Sequence, residues 1–426
     1  MKKVFSFLLI LFHFGNSTAQ TNKIDTVSIT LEMAERQFIN NNLQLLAQKY
    51  NVDATKALII QARLYPNPDI SWGNNFYNSD TKRLFPLSFK EHESDNSFSF
   101  NQTIILAKKV KKQVKIAETN YKLAEDNLYD LLRTLKFGLR TTFFNIYYQQ
   151  QTAKVYDEEI KALETIVSAY KGIQEKGYVS EAEITQIQAQ LYALQSEYET
   201  LQDNIQDLQS QLRLLVQSTP YIYFIPLVSQ EILKSNPLAY SLKSYLDSAY
   251  TNRTDIMIAK DNLVLSQQNY SYQKSLAIPD ITIGTYMDQS SQYVTDDFSY
   301  SLGFAIPIFN RNQGNIKNAH LLIDYSTVEL QLTQKTLEDQ IFTALKKAHC
   351  TDELYRGIDP AFVGNFDRLA KEMLENYKKR NVNLLTFLTF YDSYKQNVVQ
   401  YNTILFNKVN AMENLNFLTG TDFFNK

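Results

Sequence analysis

The sequence predicts a mainly α-helical fold built twice over, in which two pairs of strands per chain contribute to a membrane β-barrel. Three observations predict it. One motif recurs half a chain apart, apolar residues keep heptad spacing over very long runs, and short segments alternate aromatic with small polar residues. Tyr65-Pro66-Asn67-Pro68-Asp69-Ile70 leads into one alternating segment, and Ala277-Ile278-Pro279-Asp280-Ile281 leads into another about 211 residues later. The echo stays in register: Ala47 answers Ala259, Val114 and Ala117 answer Ile316 and Ala319, and Val179-Ser180 answers Val382-Asn383. A period of about 200 residues is far too long for a solenoid. It reads as one unit (helix, strand, strand, long helix, turn, long return helix) duplicated and fused. The expected division is a signal segment at 1–19, a first repeat at 20–218, a connector at 219–240 and a second repeat at 241–426.

Composition supports long elements. Only 11 Gly and 9 Pro punctuate 426 residues, while aromatic residues reach 13%. The formal net charge of -2 leaves no basic footprint for nucleic acid. A single cysteine, Cys350, excludes an intrachain disulfide. At the N-terminus Lys2-Lys3, the apolar stretch Val4 to Phe14 and Ser17-Thr18-Ala19 have the form of a cleaved export signal. No cysteine near the cleavage point invites acylation. No later run approaches the roughly 20 apolar residues of a transmembrane helix, so any membrane span must be made of strands.

The helices are read from spacing. Ile184, Ile187, Leu191, Leu194, Tyr198, Leu201, Ile205, Leu208, Leu212 and Leu215 alternate steps of three and four, a coiled-coil seam of more than four heptads. Val110, Val114, Ala117, Tyr121, Ala124, Leu128, Leu131 and Leu135 do the same on the preceding helix. No proline interrupts that helix up to about Tyr170, which gives a rod on the order of 100 Å. Gly177 suits a C-cap, and Ser180 with Glu183 makes a capping box, so the two helices form an antiparallel hairpin. In the second half Ile316 to Tyr355 and Phe362 to Tyr377 rise to a matching tip at Lys379-Arg380-Asn381-Val382-Asn383. A break is expected at Asp359-Pro360, and Leu384 to Phe417 returns. The helices alone also allow an exported rod, such as a stalk or adhesin.

The strands decide against the rod. Ile70, Trp72 and Phe76 alternate with Ser71, Gly73 and Asn75, and Phe98 and Phe100 alternate with Ser97, Ser99 and Asn101. Ile281, Ile283 and Met287 do so in the second half, as do Phe298, Tyr300, Leu302 and Phe304. One apolar, aromatic-rich face and one small polar face suit a barrel with lipid outside and water inside. Four strands cannot close a barrel, and open edges in lipid cost several kcal/mol per unpaired group. Several copies must therefore share one barrel, although the sequence does not set their number.

Taken together, these residues resemble the TolC-like outer-membrane efflux proteins, over essentially the whole mature chain. The run Ile306-Pro307-Ile308-Phe309-Asn310-Arg311-Asn312-Gln313-Gly314 is most similar to the heavy-metal efflux branch, the CzcC/CusC type. There such a segment joins the last strand to the long helix. Ile105-Leu106-Ala107-Lys108-Lys109 is similar to the family's Leu-Phe-Gly-Lys-Arg, with Ala107 replacing Gly. Pro307, Phe309, Asn310, Arg311 and Gly314 mark the barrel-to-helix junction, and Asn310 and Gly314 are expected to turn the chain there without strain. The resemblance implies a homotrimer with a 12-stranded barrel in the outer-membrane lipid and a coiled-coil periplasmic tunnel. It also implies a periplasmic adaptor and an inner-membrane RND-type transporter docking at the tips, and passive conduction of solutes to the exterior. The docking tips are Lys176, Gly177, Tyr178, Val179 and Ser180, and Arg380, Asn381, Val382 and Asn383.

The sequence departs from the family at the constriction. Where several relatives carry carboxylates past the second tip, this chain has Thr386 and Thr389, with Phe387 and Phe390 nearby. A hydrophobic or hydroxyl-lined gate is therefore expected rather than an acidic ring. Arg380 stands where the first tip has Gly177, with Asp392 or a neighbouring subunit as its expected partner, and Tyr377 matches the family's tip tyrosine. No cofactor, catalytic set or metal-ligand spacing is read. His349-Cys350 adjoin on a helix and diverge, and Glu91-His92-Glu93 reads as a solvated loop. Heavy-metal cations are the substrate class suggested by the junction motif, while drugs or other small molecules remain open.

Overall fold

The computed structural model describes residues 25–89, 93–174, 180–290 and 295–424. The signal segment and Lys176, Gly177, Tyr178 and Val179 lie outside them, as do Glu91 and His92. In chain order the elements are β1 (Asp25–Thr30), α1 (Leu31–Asn41), α2 (Leu43–Ala62), β2 (Asp69–Asn74), β3 (Tyr77–Asn78), β4 (Arg83–Leu84), β5 (Asn96–Ile104), α3 (Lys109–Gln174) and α4 (Glu181–Val216). The chain continues with β6 (Ile222–Leu227), α5 (Leu242–Asn252), α6 (Thr254–Leu276), β7 (Ile281–Ser290), β8 (Thr295–Phe304), α7 (Gln313–Arg356), α8 (Pro360–Lys378) and α9 (Leu384–Thr419).

The heptad runs become the long helices. α3 is a single helix of 66 residues, about 100 Å at 1.5 Å per residue. Along α4 the apolar seam faces inward: Ile187, Leu194, Ile205 and Leu212 are fully buried, and Tyr198, Leu201 and Leu208 are half-buried. Ser180 and Glu183 form the capping box in both directions. The rising helix of the second repeat breaks where Pro360 removes a backbone donor. α7 ends at Arg356, and Asp359 caps α8 by accepting the Ala361 N–H.

The helices lie side by side rather than around one centre. Near the sheet, α2, α3, α6 and α7 are successive neighbours; further along, α4, α3, α9 and the α7–α8 arm are. Three buried clusters serve this wall. At mid-height a parallel pair that the sequence reading missed, β1 with β6, packs Ile29 and Phe224 against Leu139, Phe143 and Met412. The apolar run Tyr221-Ile222-Tyr223-Phe224-Ile225 was its signal.

Buried charge ties the mid-height together. Arg140 on α3 is 6% exposed and lies within 3.0 Å of Glu413 on α9, with Glu35 on α1 at its Nε. Burial alone would lower its pKa, but the charges of Glu413 and Glu35 raise it above the ordinary arginine value. Lys408 and Asp352 make a second buried bridge at 2.8 Å between α9 and α7.

The other sheet is antiparallel, in the order β2-β5-β7-β8. It is bare on both faces: Ile70, Phe298, Tyr300 and Leu302 are exposed to between 64% and 88%. Alternation holds in every strand, with one correction. β2 ends at Asn74, so Phe76 lies in a bend beyond it and packs edge-on against Phe85, 4.6 Å between centroids. The second hairpin, β3 with β4, occupies the connecting loop, and Phe76 turns to it: its carbonyl accepts the Phe85 N–H at 2.8 Å.

Arg140→Met removes the guanidinium that lies 3.0 Å from buried Glu413. Breaking one side of a buried pair costs about 3–5 kcal/mol. The expected result is a thermal midpoint lowered by several degrees in detergent-solubilised protein, with near-native stability when Glu413→Gln is added; an unchanged midpoint for the single variant contradicts this account.

Candidate functional site

Three regions carry the site residues: the junction between sheet and helices, the second hairpin tip, and the free faces of the return helices. At the first-repeat junction Ala107 and Lys108 both take left-handed backbone, φ 57° each. Alanine there costs roughly 1–2 kcal/mol, the strain that glycine avoids. Lys109 then turns inward. It is 6% exposed, and its Nζ lies 2.7 Å from Asp280 Oδ1 and donates to the Ile278 carbonyl at 2.7 Å. Asp280 Oδ1 also accepts the Leu106 N–H at 2.8 Å. The recurring Pro-Asp motif thus clamps the second repeat's strand lead-in onto the first repeat's junction. Lys109 was not singled out from sequence, although Asp280 in the repeated motif marks its partner.

At the second junction the turn falls elsewhere than expected. Gly314 lies inside the first turn of α7 with open space around it, and its backbone is not left-handed. Asn312 makes the turn instead, at φ 58°, with its Nδ2 donating to the Gln273 carbonyl at 2.8 Å. Asn310 supports it by accepting the Asn312 N–H on Oδ1 at 3.0 Å. Asparagine tolerates this conformation because its side chain finds local partners. Pro307 is half-buried, Phe309 is 92% exposed, and the exposed Arg311 donates from Nε to the Ile308 carbonyl.

At the second tip Arg380 adopts φ 60° and its N–H closes on the Tyr377 carbonyl at 2.9 Å. It occupies a backbone position that favours glycine. Asp392 is not its partner within the chain. That carboxylate lies 3.2 Å from Lys395 and accepts from Gln396 at 2.8 Å. Asn381 bonds back to Asn376, Val382 packs on the tip cluster, and Asn383 caps α9 by accepting the Thr386 N–H. Tyr377 is 3% exposed and stacked on Phe387 at 4.2 Å, with Tyr170 of α3 at 5.8 Å. Burial and then the Tyr170 hydrogen bond push its phenol well above the usual range. Phe387 faces into the chain, while Thr386 and Thr389 face out.

Those threonines begin a longer pattern. Thr386, Thr389, Ser393, Gln396, Gln400 and Thr403 repeat in steps of three and four, all exposed, opposite the buried face of α9. Every charge on α9 is paired: Asp392 with Lys395, Lys395 also with Glu197, Lys408 with Asp352 and Glu413 with Arg140. The matching return helix differs, because the free face of α4 shows Glu199, Asp203 and Asp207. Among the described residues, no group of three or more His, Cys, Asp or Glu is placed to hold a metal ion.

Between the hairpins Lys395 of α9 reaches Glu197 of α4 at 2.8 Å, and Tyr156 of α3 donates to the same carboxylate at 3.1 Å. Glu159 of α3 lies beneath them, 5% exposed, with Oε1 lacking a hydrogen-bond partner. Burial pushes its carboxyl up to about 8; Lys395 opposes the shift, and Asp392 and Glu197 add to it.

The arrangement has close counterparts. The family model for outer membrane efflux proteins matches residues 36–216. The fold of the CmeC outer membrane channel of Campylobacter jejuni superposes with a TM-score of 0.73 at 16% identity, covering 92% of this chain and 86% of that one. Residues 36–216 thus match the outer membrane efflux protein family, and the chain shares its fold with an outer membrane channel over 92% of its length. CusC superposes at 0.72 with 15% identity, covering 92% of both chains. The cobalt-zinc-cadmium resistance protein CzcC of Cupriavidus metallidurans is 21% identical over 291 residues, 68% of this chain and 66% of that relative, just under two thirds of its length. Members of this efflux family are channels rather than enzymes. Among the described residues no helix is long and apolar enough to cross a membrane.

Glu159 predicts a pH dependence. Its carboxyl ionises near 4.5 when unpacked and near 8 when packed, so the packed state holds the extra proton between those values. Its stabilising effect is full below pH 4.5 and is lost as pH rises to about 8. Thermal midpoints measured at pH 5 and pH 8.5 should fall with pH in the native chain and fall less in Glu159→Gln; equal slopes in the two proteins contradict the assignment.

Proposed function

We propose that this protein is the outer-membrane channel subunit of a tripartite efflux system. Three copies, exported by the segment at 1–19, close one barrel of twelve strands in the outer membrane. Their helices continue into a periplasmic tunnel whose two repeats, 20–218 and 241–426, meet at the connector 219–240. A periplasmic membrane-fusion adaptor and an inner-membrane RND-type transporter dock at the tips around Lys176 to Ser180 and Arg380 to Asn383. The channel itself is passive, and the transporter supplies the energy. Opening shifts the population between two packings of the tip helices, with Tyr377, Arg380, Thr386, Thr389 and Asp392 at the gate.

One observation carries this reading: among the described residues, a four-stranded sheet has nothing packed on either face and no partner on either outer strand. In water such a sheet would expose aromatic rings at no gain. In lipid the apolar face is satisfied, but the edges are not until other copies complete the ring. Heavy-metal cations are the favoured substrate class, because the relative CzcC is named for cobalt, zinc and cadmium resistance. Export of drugs or other small molecules is the second reading, favoured by the uncharged outer face of α9.

The native chain should fractionate with outer membranes, run as a heat-sensitive oligomer and conduct ions across a planar bilayer; a soluble, non-conducting monomer refutes the channel. In a deletion strain, minimum inhibitory concentrations should fall for divalent metals. Unchanged metal tolerance together with drug sensitivity overturns the cation reading and supports the second.

A further inference from the structure

Resting on the shared-barrel reading, we infer that a notch between α3 and α6, just below the sheet, binds the headgroup of an anionic phospholipid from the leaflet that faces the periplasm. Lys108, Lys111, Lys112 and Lys115 of α3 and its lead-in line the notch opposite Gln267 and Ser271 of α6, around a space of about 430 Å³.

The four lysines are uncompensated. None has an ion-pair partner among the described residues. Lys112 donates to the Ser271 carbonyl at 2.8 Å, which holds its charge at the notch wall. The acids nearest in sequence are already engaged: Asp280 by Lys109, Glu118 by Arg63 at 3.6 Å and Asp261 by Lys122 at 2.9 Å. From Asn262 to Leu276 α6 carries no acid, and α3 carries none before Glu118. Like charges around one small space repel one another, and an anion placed among them relieves the repulsion. The start of α7, Gln313-Gly314-Asn315-Ile316-Lys317, carries a single lysine, so the charge is a property of the first repeat.

Two observations put the notch on the lipid side of the wall. By the alternation of β7, Asp280 falls with Thr282 and Gly284 on the small polar face, which faces the bore; Lys109, which grips Asp280, therefore leaves α3 on that side. Lys111 and Lys115 follow two and six residues later, about 200° and 240° round the helix at about 100° per residue. They point away from the bore. Lys115, Lys122, Tyr129 and Lys136 then keep steps of seven along that face, and Lys136 and Arg140 meet Glu35 of α1. A layer added to the wall of an open tube lies outside it.

Height agrees with side. β5 ends at Ile104, on the apolar face with Phe98 and Phe100 and four residues before Lys108. Ile104, Leu276 and Ile278 are exposed between the sheet and the notch. Apolar side chains followed at once by unpaired cations match a lipid's acyl chains followed by its phosphate. α3 and α6 pack on each other within one chain, so completing the ring leaves the notch open, one for each copy. Each lysine beside an anionic lipid surface strengthens binding about fivefold.

The test uses the oligomer of the full exported chain in mild detergent, with native mass spectrometry of the lipid it retains from equimolar phosphatidylglycerol and phosphatidylcholine. Phosphatidylglycerol should be retained in preference, up to one molecule per chain. Lys111→Gln combined with Lys115→Gln should lower its retention by roughly tenfold or more, whereas Lys111→Arg with Lys115→Arg, or Lys317→Gln alone, should keep it. Equal retention of the two lipids, or no loss in the glutamine variant, overturns the inference while the shared barrel stands. If the glutamine variant does not assemble, salt added to the unsubstituted oligomer decides: retention that does not fall with salt overturns the inference. Displacement of the lipid by an equal concentration of inorganic phosphate shows a free-phosphate site and overturns the lipid assignment. Failure of the unsubstituted chain to form any oligomer overturns the shared barrel itself.

Discussion

A strand at the edge of a sheet presents a row of unpaired N–H and C=O groups. In water these are solvated at little cost, whereas in hydrocarbon each costs several kcal/mol. The sheet β2-β5-β7-β8 has two such edges and, among the described residues, no covering layer. The rest of the architecture can be read as a response to that constraint. Duplication supplies two equivalent hairpins, so one strand pairing, β5 with β7, is satisfied within the chain. The junctions hold the hairpins at a fixed angle to the helical wall, through Lys109 and Asp280 on one side and Asn312 with Gln273 on the other.

Much of this was legible in the residue order, because the periods involved are local. The seam of α4 and the break at Pro360 depend only on spacing and on a missing donor. The alternation of β8 depends on nothing beyond ten residues. What escaped was non-local. β1 and β6 are far apart in the chain and parallel, so no turn signal announces their pairing. Arg140 joins three helices whose approach no heptad encodes. Phe76 continued the alternation on paper, but the chain bends there and its carbonyl takes the Phe85 N–H of the smaller hairpin instead.

The junctions show a subtler limit. Asn310, Gly314 and Asn312 lie within five residues, and propensity alone favours glycine for a left-handed turn. The structure uses Asn312, whose amide reaches the end of α6, and leaves Gly314 helical. Ala107, Lys108 and Arg380 take the same backbone without glycine's freedom. At these three places tertiary contacts outweigh local preference.

The free face of α9 has an electrical meaning. The stripe from Thr386 to Thr403 bears only hydroxyls and amides, and the one carboxylate beside it, Asp392, is held by Lys395 and Gln396, so the stripe itself carries no net charge for added salt to screen. The acids on α4 are another matter, since their field extends only about a Debye length into physiological solution. The two return helices therefore differ in the fixed charge carried on their free faces.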